Sequence, residues 1–234
     1  GLVRLVHGVA DAPEVDVYLN DTLIAPALAF GDMTEHIAIP AGDYSAALKA
    51  AGSDDVVLEG TLTVEAAQAA TVAALGTADA ISLQVLPDDV GGMDAAQARL
   101  SLTNGVPGST VTATLDDGTE VASDLAFGES APVVNIPASA QSVTLSVADG
   151  GTTATYSIPA QPFYGGVYYN LFAFDADGSA QLVARPTAVN QGIASAPGAA
   201  AAVVSAPEVA VQPTAAPTVP PPPVEATTAP TAAP

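Results

Sequence analysis

No cysteine and no tryptophan occur among the 234 residues. Without thiols there is no disulfide frame and no thiolate metal centre, so stability has to come from packing, and thiol usage says nothing of the redox compartment. Basic side chains are nearly absent: Arg4, Lys49, Arg99 and Arg185 stand against 25 Asp and Glu, for a formal net charge of −21. Binding a phosphate backbone needs clustered Lys and Arg, so a nucleic-acid partner is excluded. Because the acid content is ordinary and the bases are what is missing, the balance reads as a soluble, self-repelling surface. No uninterrupted apolar run approaches the roughly 18 residues of a helical membrane span, and the most apolar stretch of the tail, 199–204, is far shorter. Also missing are a Gly-x-Ser-x-Gly elbow, a cysteine nucleophile, a phosphate loop and a His-Glu-x-x-His helix, so no enzyme is expected. A carboxylate pair for glycoside hydrolysis, assembled from distant strands, stays open, although aromatic platforms are few.

What the chain does contain, it contains twice. Leu28-Ala29-Phe30-Gly31, followed by Ile39-Pro40-Ala41, returns 97 positions later as Leu125-Ala126-Phe127-Gly128 and Ile136-Pro137-Ala138, and Gly8-Val9 returns as Gly105-Val106. Arg4 and Arg99 are only 95 apart, which places about two extra residues near the start of the second copy. A repeat of this length means two tandem units, each able to bury a modest core.

Short runs of Val, Leu, Ile, Thr and Tyr alternate with Gly, Asp, Asn and Pro, the pattern of an all-β fold built of antiparallel sandwiches with one buried face per sheet. Strands are expected at 2–6, 15–19, 36–39, 44–49, 56–64, 70–75, 82–86, 111–115, 133–136, 142–147, 153–158, 167–174 and 180–185. Asn20-Asp21 and Asp116-Asp117-Gly118 tolerate the left-handed backbone of a tight hairpin. Glu65-Ala66-Ala67-Gln68-Ala69-Ala70 and Met93-Asp94-Ala95-Ala96-Gln97-Ala98 are good helix formers but too short for a helix that stands alone; the first reads as a reverse turn and the second as part of the connection between copies. The expected organisation is a first sandwich over 1–90, a linker over 91–97, a second sandwich over 98–187 and a Pro/Ala/Thr-rich extended tail over 188–234.

The tail has too little apolar surface to fold alone, and 220–223 is a run of four prolines suited to polyproline II. Thr214, Thr218, Thr227, Thr228 and Thr231 would accept O-linked sugars in a stalk. A flexible spacer is the plainer reading. The opening residue is Gly1 rather than Met and a strand begins at once, which suggests a secreted chain relieved of a signal peptide, or else a trimmed one.

Few residues suggest chemistry. His7 would hydrogen-bond across a bend set by Asp11 and Pro13. His36 sits in an alternating strand with no second histidine at a metal-binding spacing. Asp54-Asp55, Asp88-Asp89, Asp116-Asp117 and Asp175-Ala176-Asp177-Gly178 fall in expected turns, whose chemistry accounts for them. Calcium is the cation they would take if any, with no cofactor required otherwise, and the last segment lacks the Gly spacing and closing Glu of an EF-hand. Asn20-Asp21-Thr22 fits a glycosylation sequon, yet the turn already explains Asn20. Aromatic residues crowd into 163–174; alternation puts Tyr168, Asn170 and Phe172 on one face and Tyr169, Leu171 and Ala173 on the other. Core packing with one hydroxyl reaching backbone is the default there, and a sugar-binding or interface patch of Tyr164, Tyr168 and Tyr169 is the alternative.

The phrase Val3-Arg4-Leu5-Val6-His7-Gly8-Val9-Ala10-Asp11-Ala12-Pro13-Glu14-Val15-Asp16-Val17-Tyr18-Leu19-Asn20, with Leu28-Ala29-Phe30-Gly31 and Ile39-Pro40-Ala41-Gly42-Asp43-Tyr44 after it, resembles the secreted bacterial and archaeal family called domain of unknown function 4397. The likeness is fainter in the second copy, where Asn104-Gly105-Val106-Pro107-Gly108 replaces the family phrase. The resemblance implies tandem immunoglobulin-like or prealbumin-like sandwiches on exported or cell-surface proteins, and no known reaction.

Two functions follow as expectations. One is a structural protein of the cell surface or extracellular matrix that associates with itself into a filament or layer by adding strands at sheet edges. Leu2, Val3, Leu5 and Val6, or the tail positions Val203, Val204, Val209 and Val211, would supply the donor strand. The other is a stalked adhesion module that binds a surface polysaccharide or another surface protein.

Overall fold

The computed structural model describes residues 1–176 and 179–189 and, for its backbone alone, the strand at 202–205. The first copy forms β1 (Leu2–Gly8), β2 (Val15–Leu19), β3 (Thr22–Leu28), β4 (Ile37–Ala38), β5 (Gly42–Ala50), β6 (Val56–Val64), β7 (Ala69–Thr77) and β8 (Ala80–Pro87). The second forms β9 (Gln97–Asn104), β10 (Ser109–Leu115), β11 (Glu120–Ala126), β12 (Val134–Pro137), β13 (Ser139–Asp149), β14 (Thr152–Phe163), β15 (Val167–Ala176) and β16 (Ser179–Ala188), and β17 (Ala202–Ser205) follows. No helix occurs among the described residues.

Each copy makes two sheets. In the first they run β3-β2-β5-β6 and β4-β1-β7-β8; in the second, β11-β10-β13-β14 and β12-β9-β15-β16-β17. Local sequence accounts for the hairpins. Asn20 and Asp21 take φ of 46° and 62°, the left-handed turn that joins β2 to β3. The chain reverses at Ala66-Ala67, with Ala67 at φ 59°, so these helix formers make a turn because the flanking strands leave no room for a helical turn. Most pairings are antiparallel, as alternation implies. At the centre of each inner sheet, however, β1 pairs with β7 and β9 with β15 in parallel. A parallel pair needs a long crossover rather than a hairpin, and each crossover here passes through the outer sheet.

The copies share one strand order, and the equivalences correct one expectation. Arg4 lies opposite Thr71 on β7, and Ser101 lies opposite Asn170 on β15, so Ser101 rather than Arg99 is the counterpart of Arg4. The spacing is 97 for β1, β3 and β4, 96 for β2, whose Val15 matches Val111, and 99 by β7, so the two extra residues enter in the longer hairpin of β13 and β14.

Three apolar layers result. Val3, Leu5, Val72 and Ala74 close the first sandwich against Val15, Val17, Ala46 and Leu48. Leu100, Leu102, Tyr169 and Leu171 close the second against Val111, Ala113, Val143 and Leu145. The other faces of the inner sheets do not meet water. Val6, Met33, Ala73 and Leu75 pack on Phe172, Phe174 and Val183, with Phe30 and Phe127 against them. This explains the repeated Leu-Ala-Phe-Gly motif: Leu28 and Leu125 enter their own cores, while Phe30 and Phe127 both turn to the layer between the copies. Phe174 stacks 5.6 Å from Phe172 and lies tilted, 5.7 Å from Phe30. It also fills the space left by two repeated glycines, since a Cβ at Gly8 or Gly105 would fall 2.3 or 2.6 Å from its ring. The expectation of one solvated face per sheet thus holds for the outer sheets and fails for the inner ones, which lie between two cores.

Candidate functional site

At one end of this middle layer the apolar contacts give way to a buried polar group. His36 precedes β4 and joins two charges. Its Nδ1 lies 3.1 Å from Arg4 Nη2 and its Nε2 lies 2.9 Å from Asp88 Oδ2. A guanidinium only donates, so Nδ1 accepts and the proton sits on Nε2, which donates to the carboxylate. Asp88 also accepts from Thr71 Oγ1 at 2.8 Å, from Asn170 Nδ2 at 2.9 Å and from Tyr168 Oη at 3.4 Å. Asn170 Nδ2 further donates to Thr71 Oγ1 at 3.0 Å. Arg4 donates to Thr187 Oγ1, and its Nη1 lies 3.5 Å from Met33 Sδ. Thr71 and Asn170 hold equivalent places in the two copies and meet here, so the polar group lies on the approximate twofold relation of the repeat.

Burial is complete for Arg4, and the side chains of His36 and Asp88 are 4% and 0% exposed. Burial drives the Arg4 guanidinium below its ordinary value while Asp88 pulls it back up. Burial, reinforced by Asp88, pushes the Tyr168 phenol well up, so it stays a protonated donor. Around the rim Arg185 pairs with Glu35, and Arg99 reaches Asp89 at 2.8 Å and the carbonyls of Asp89 and Gly91 at 3.0 and 3.1 Å. Three of the chain's four basic residues are thus spent at the junction or on the segment that leads across it. The fourth, Lys49, lies over the Tyr18 ring at 4.9 Å. An Asp-His pair can orient a general base, but here its third partner is a cation instead of a nucleophile, and every member is enclosed. What the arrangement does is bridge the sandwiches: the compensated Arg4–His36–Asp88 group belongs to the first copy, and the second closes over it with the neutral donors and acceptors Asn170, Tyr168 and Thr187.

The residues singled out from sequence fare differently. His7 is buried and bridges its bend: Nδ1 accepts from Val9 N–H and Nε2 lies 3.0 Å from the Pro13 carbonyl. Asp11 accepts instead from Ala78 N–H in the β7–β8 turn, at 2.9 Å. Leu2, Val3, Leu5 and Val6 cannot act as a free donor strand, since both edges of β1 are taken, by β4 and β7. Tyr168 and Tyr169 are 1% and 6% exposed, so no aromatic patch forms; of the three only Tyr164 is open, at 65%. Alternation had sent the two tyrosines to opposite faces, and each face turns out to be a core. Tyr169 Oη accepts from Tyr164 N–H at 2.8 Å and reaches the Pro162 carbonyl at 3.4 Å, while its ring meets Phe163 edge-on.

Asp88, expected in a solvated turn, is the buried hub; it lies beyond the end of β8 under the second sandwich. His36, read as an unremarkable strand residue, is its partner. Asp54 reaches Lys49 at 3.7 Å, and Asp117 accepts from Thr119 N–H. Among the described residues no three His, Asp or Glu side chains gather as a metal would require. No helix there is long and apolar enough to cross a membrane. Val203 and Val204 lie on β17, while Val209, Val211, Thr214, Thr218, Thr227, Thr228 and Thr231 lie outside the described residues.

β17 brings the sheet edges into view. It pairs antiparallel with β16, matching Gln181 with Ser205, Leu182 with Val204, Val183 with Val203 and Ala184 with Ala202. The counterpart of β16 in the first copy is β8, as the matched pairs Thr71–Leu86 and Asn170–Arg185 show. Nothing pairs with the outer edge of β8 among the described residues.

No curated protein matches the chain at a significant level. Among solved structures it is similar to a family CBM26 module, CBMbc, of Eubacterium rectale Amy13K, solved with maltoheptaose, at 13% identity over 78% of this chain and 96% of that one, with a TM-score of 0.28. It is also similar to a fimbrial assembly protein of Parabacteroides distasonis ATCC 8503, at 15% identity over 79% and 95%, with a TM-score of 0.27. Likenesses at this level carry no argument about function. Residues 1–110, spanning the first sandwich and the start of the second and holding the opening phrase and the first Leu-Ala-Phe-Gly turn, match the family described as Domain of unknown function (DUF4397).

Proposed function

We propose that this protein is a non-enzymatic structural component of the cell surface or extracellular matrix, a rigid two-sandwich block that associates with further copies of itself by strand addition. The observation that carries the reading is β17, a tail segment that adds to the edge of a sandwich as an extra strand. The polar junction supports it as well: a block whose halves are joined by hydrogen bonds to a buried charge group and by four packed phenylalanine rings transmits its orientation to a neighbour, as a hinged pair would not. Resemblance of the opening phrase to a secreted family supports the location.

The alternative, a stalked binding module, loses its aromatic platform because Tyr168 and Tyr169 are core residues. The test is negative-stain electron microscopy of the full chain at rising concentration, with and without a calcium chelator, beside a chain ended after Asn190. Filaments or sheets that vanish with the tail are the expected result; dispersed two-lobed particles throughout would overturn the reading.

A further inference from the structure

The repeat supplies two edges of one kind and the described structure fills one of them. Edge strands are usually guarded against pairing by charge, proline or brevity. Here β3 contains Pro26, β6 contains Glu59, β11 contains Glu120 and Asp124, and β14 contains Pro159 and Pro162. β4 has two residues, and β12 has four and ends in Pro137. β8 alone is long and unguarded: Ala80-Ile81-Ser82-Leu83-Gln84-Val85-Leu86 carries no charge and no proline before its terminal Pro87, and Val85 is 52% exposed.

We infer that the outer edge of β8 is the acceptor for the β17 strand of a second copy. The occupant is argued from the repeat: the same segment already lies on β16, and the inner-sheet positions 181–184 correspond to 82–85. Antiparallel docking in the same register pairs Ser82 with Ser205, Leu83 with Val204, Gln84 with Val203 and Val85 with Ala202 of the neighbour. Donor and acceptor are different surfaces, so the contact is heterologous and propagates into an open chain unless the rotation happens to close a ring. Pairing within one chain competes, because a short tether such as 190–201 gives an effective concentration on the order of millimolar. Assembly is therefore expected only when the protein itself is crowded to that level, as it would be on a surface. This rests on the self-association reading and specifies its site.

The absence of native cysteine makes a clean test available. Chains carrying only Val85→Cys and chains carrying only Ala202→Cys, one of them isotopically labelled, are mixed and oxidised, and mixed disulfides are counted by mass. Opposed residues of an antiparallel pair stand about 4.5–5.5 Å apart at Cα, within disulfide reach. A mixed dimer is expected at about 1 mM protein and at least tenfold less at about 10 μM, where tethered pairing wins. The control replaces Val85→Cys by Val133→Cys, whose residue is similarly exposed, at 41%. A mixed-dimer yield no greater than that control overturns the inference. Sedimentation of the unsubstituted chain at the same concentrations separates the two claims: oligomers without the cross-link defeat the β8 site alone, and monomer throughout defeats self-association with it.

Discussion

His7 and Asn104 hold the same position in the two sandwiches and make the same bonds with different side chains. His7 Nδ1 accepts from the N–H of Val9 at 3.3 Å, and Asn104 Oδ1 accepts from that of Val106 at 2.8 Å. The other end of each side chain donates to carbonyls, His7 Nε2 to Pro13 and Asn104 Nδ2 to Ser109 and Leu125. Their own carbonyls accept from Gly31 and Gly128 at 2.7 and 2.8 Å. An imidazole in the Nε2–H form and a carboxamide each present one acceptor and one donor, which is all this bend requires. His7→Asn is therefore expected to fold and to lose less than His7→Leu, which strands the buried N–H of Val9 at about 1–3 kcal/mol. Urea unfolding of the two variants checks the order.

Removing Asp88 leaves Arg4 buried without its counter-charge and His36, Thr71 and Asn170 without their acceptor. Asp88→Ala is expected to cost about 3–5 kcal/mol, the range for breaking a buried pair by removing one partner. Arg4→Met with Asp88→Ala should cost clearly less than the sum of the single changes, since the stranded charge is gone. A double-mutant cycle by denaturant unfolding reads the coupling, and strict additivity would contradict the account of the junction.

Gly8→Ala and Gly105→Ala each drive a methyl group into Phe174, and overpacking of this kind costs about 1–3 kcal/mol. Phe174→Leu, which withdraws the ring edge, should recover part of either loss. The melting transitions of the two single and two double variants decide this, and the absence of rescue would mean that the backbone rather than the ring sets the limit.

Asp16 is held below its ordinary value by the N–H groups of Ala27 and Gly52, at 2.8 and 3.1 Å. Ala27 sits at φ 47° where β3 bulges against β2, so the carboxylate steadies an otherwise unfavourable backbone. With the folded value depressed, the contribution is present above the unfolded carboxylate range near pH 4 and is lost as pH falls through the folded value. Asp16→Ala should thus be less stable than the parent at neutral pH, with the gap closing as the solution is acidified below about pH 4. A gap unchanged down to pH 2 would contradict it.

Of the candidate site, the parts were legible and the assembly was not. Arg4 stood out as a charge in Leu2-Val3-Arg4-Leu5-Val6, and Arg185 likewise closes the expected strand 180–185, whereas no strand was expected around Arg99. In a chain with four basic residues, the placement of Arg4, Lys49 and Arg185 in expected strands was a signal that these charges had partners. Who the partners are could not be read, because His36, Asp88 and Asn170 lie 32, 84 and 166 positions beyond Arg4 and become neighbours only when two sheets stack. The misreading of Tyr168 had the same source, since alternation assigns a residue to a face but not what covers that face.

The sequence by itself determined that the protein is all-β, that it is one unit used twice, and where most hairpins turn, because period-two alternation and left-handed Asn, Asp and Gly positions act over a few residues. Only the tertiary structure decided that both faces of the inner sheets are buried, that Arg4, His36 and Asp88 form one group, that β1 is enclosed, and that among the described residues β16 is covered while the outer edge of β8 is unpaired. Those outcomes depend on burying charge and apolar surface between segments far apart in the chain, and the free energy of such burial belongs to the packed pair of sandwiches, not to either strand read alone.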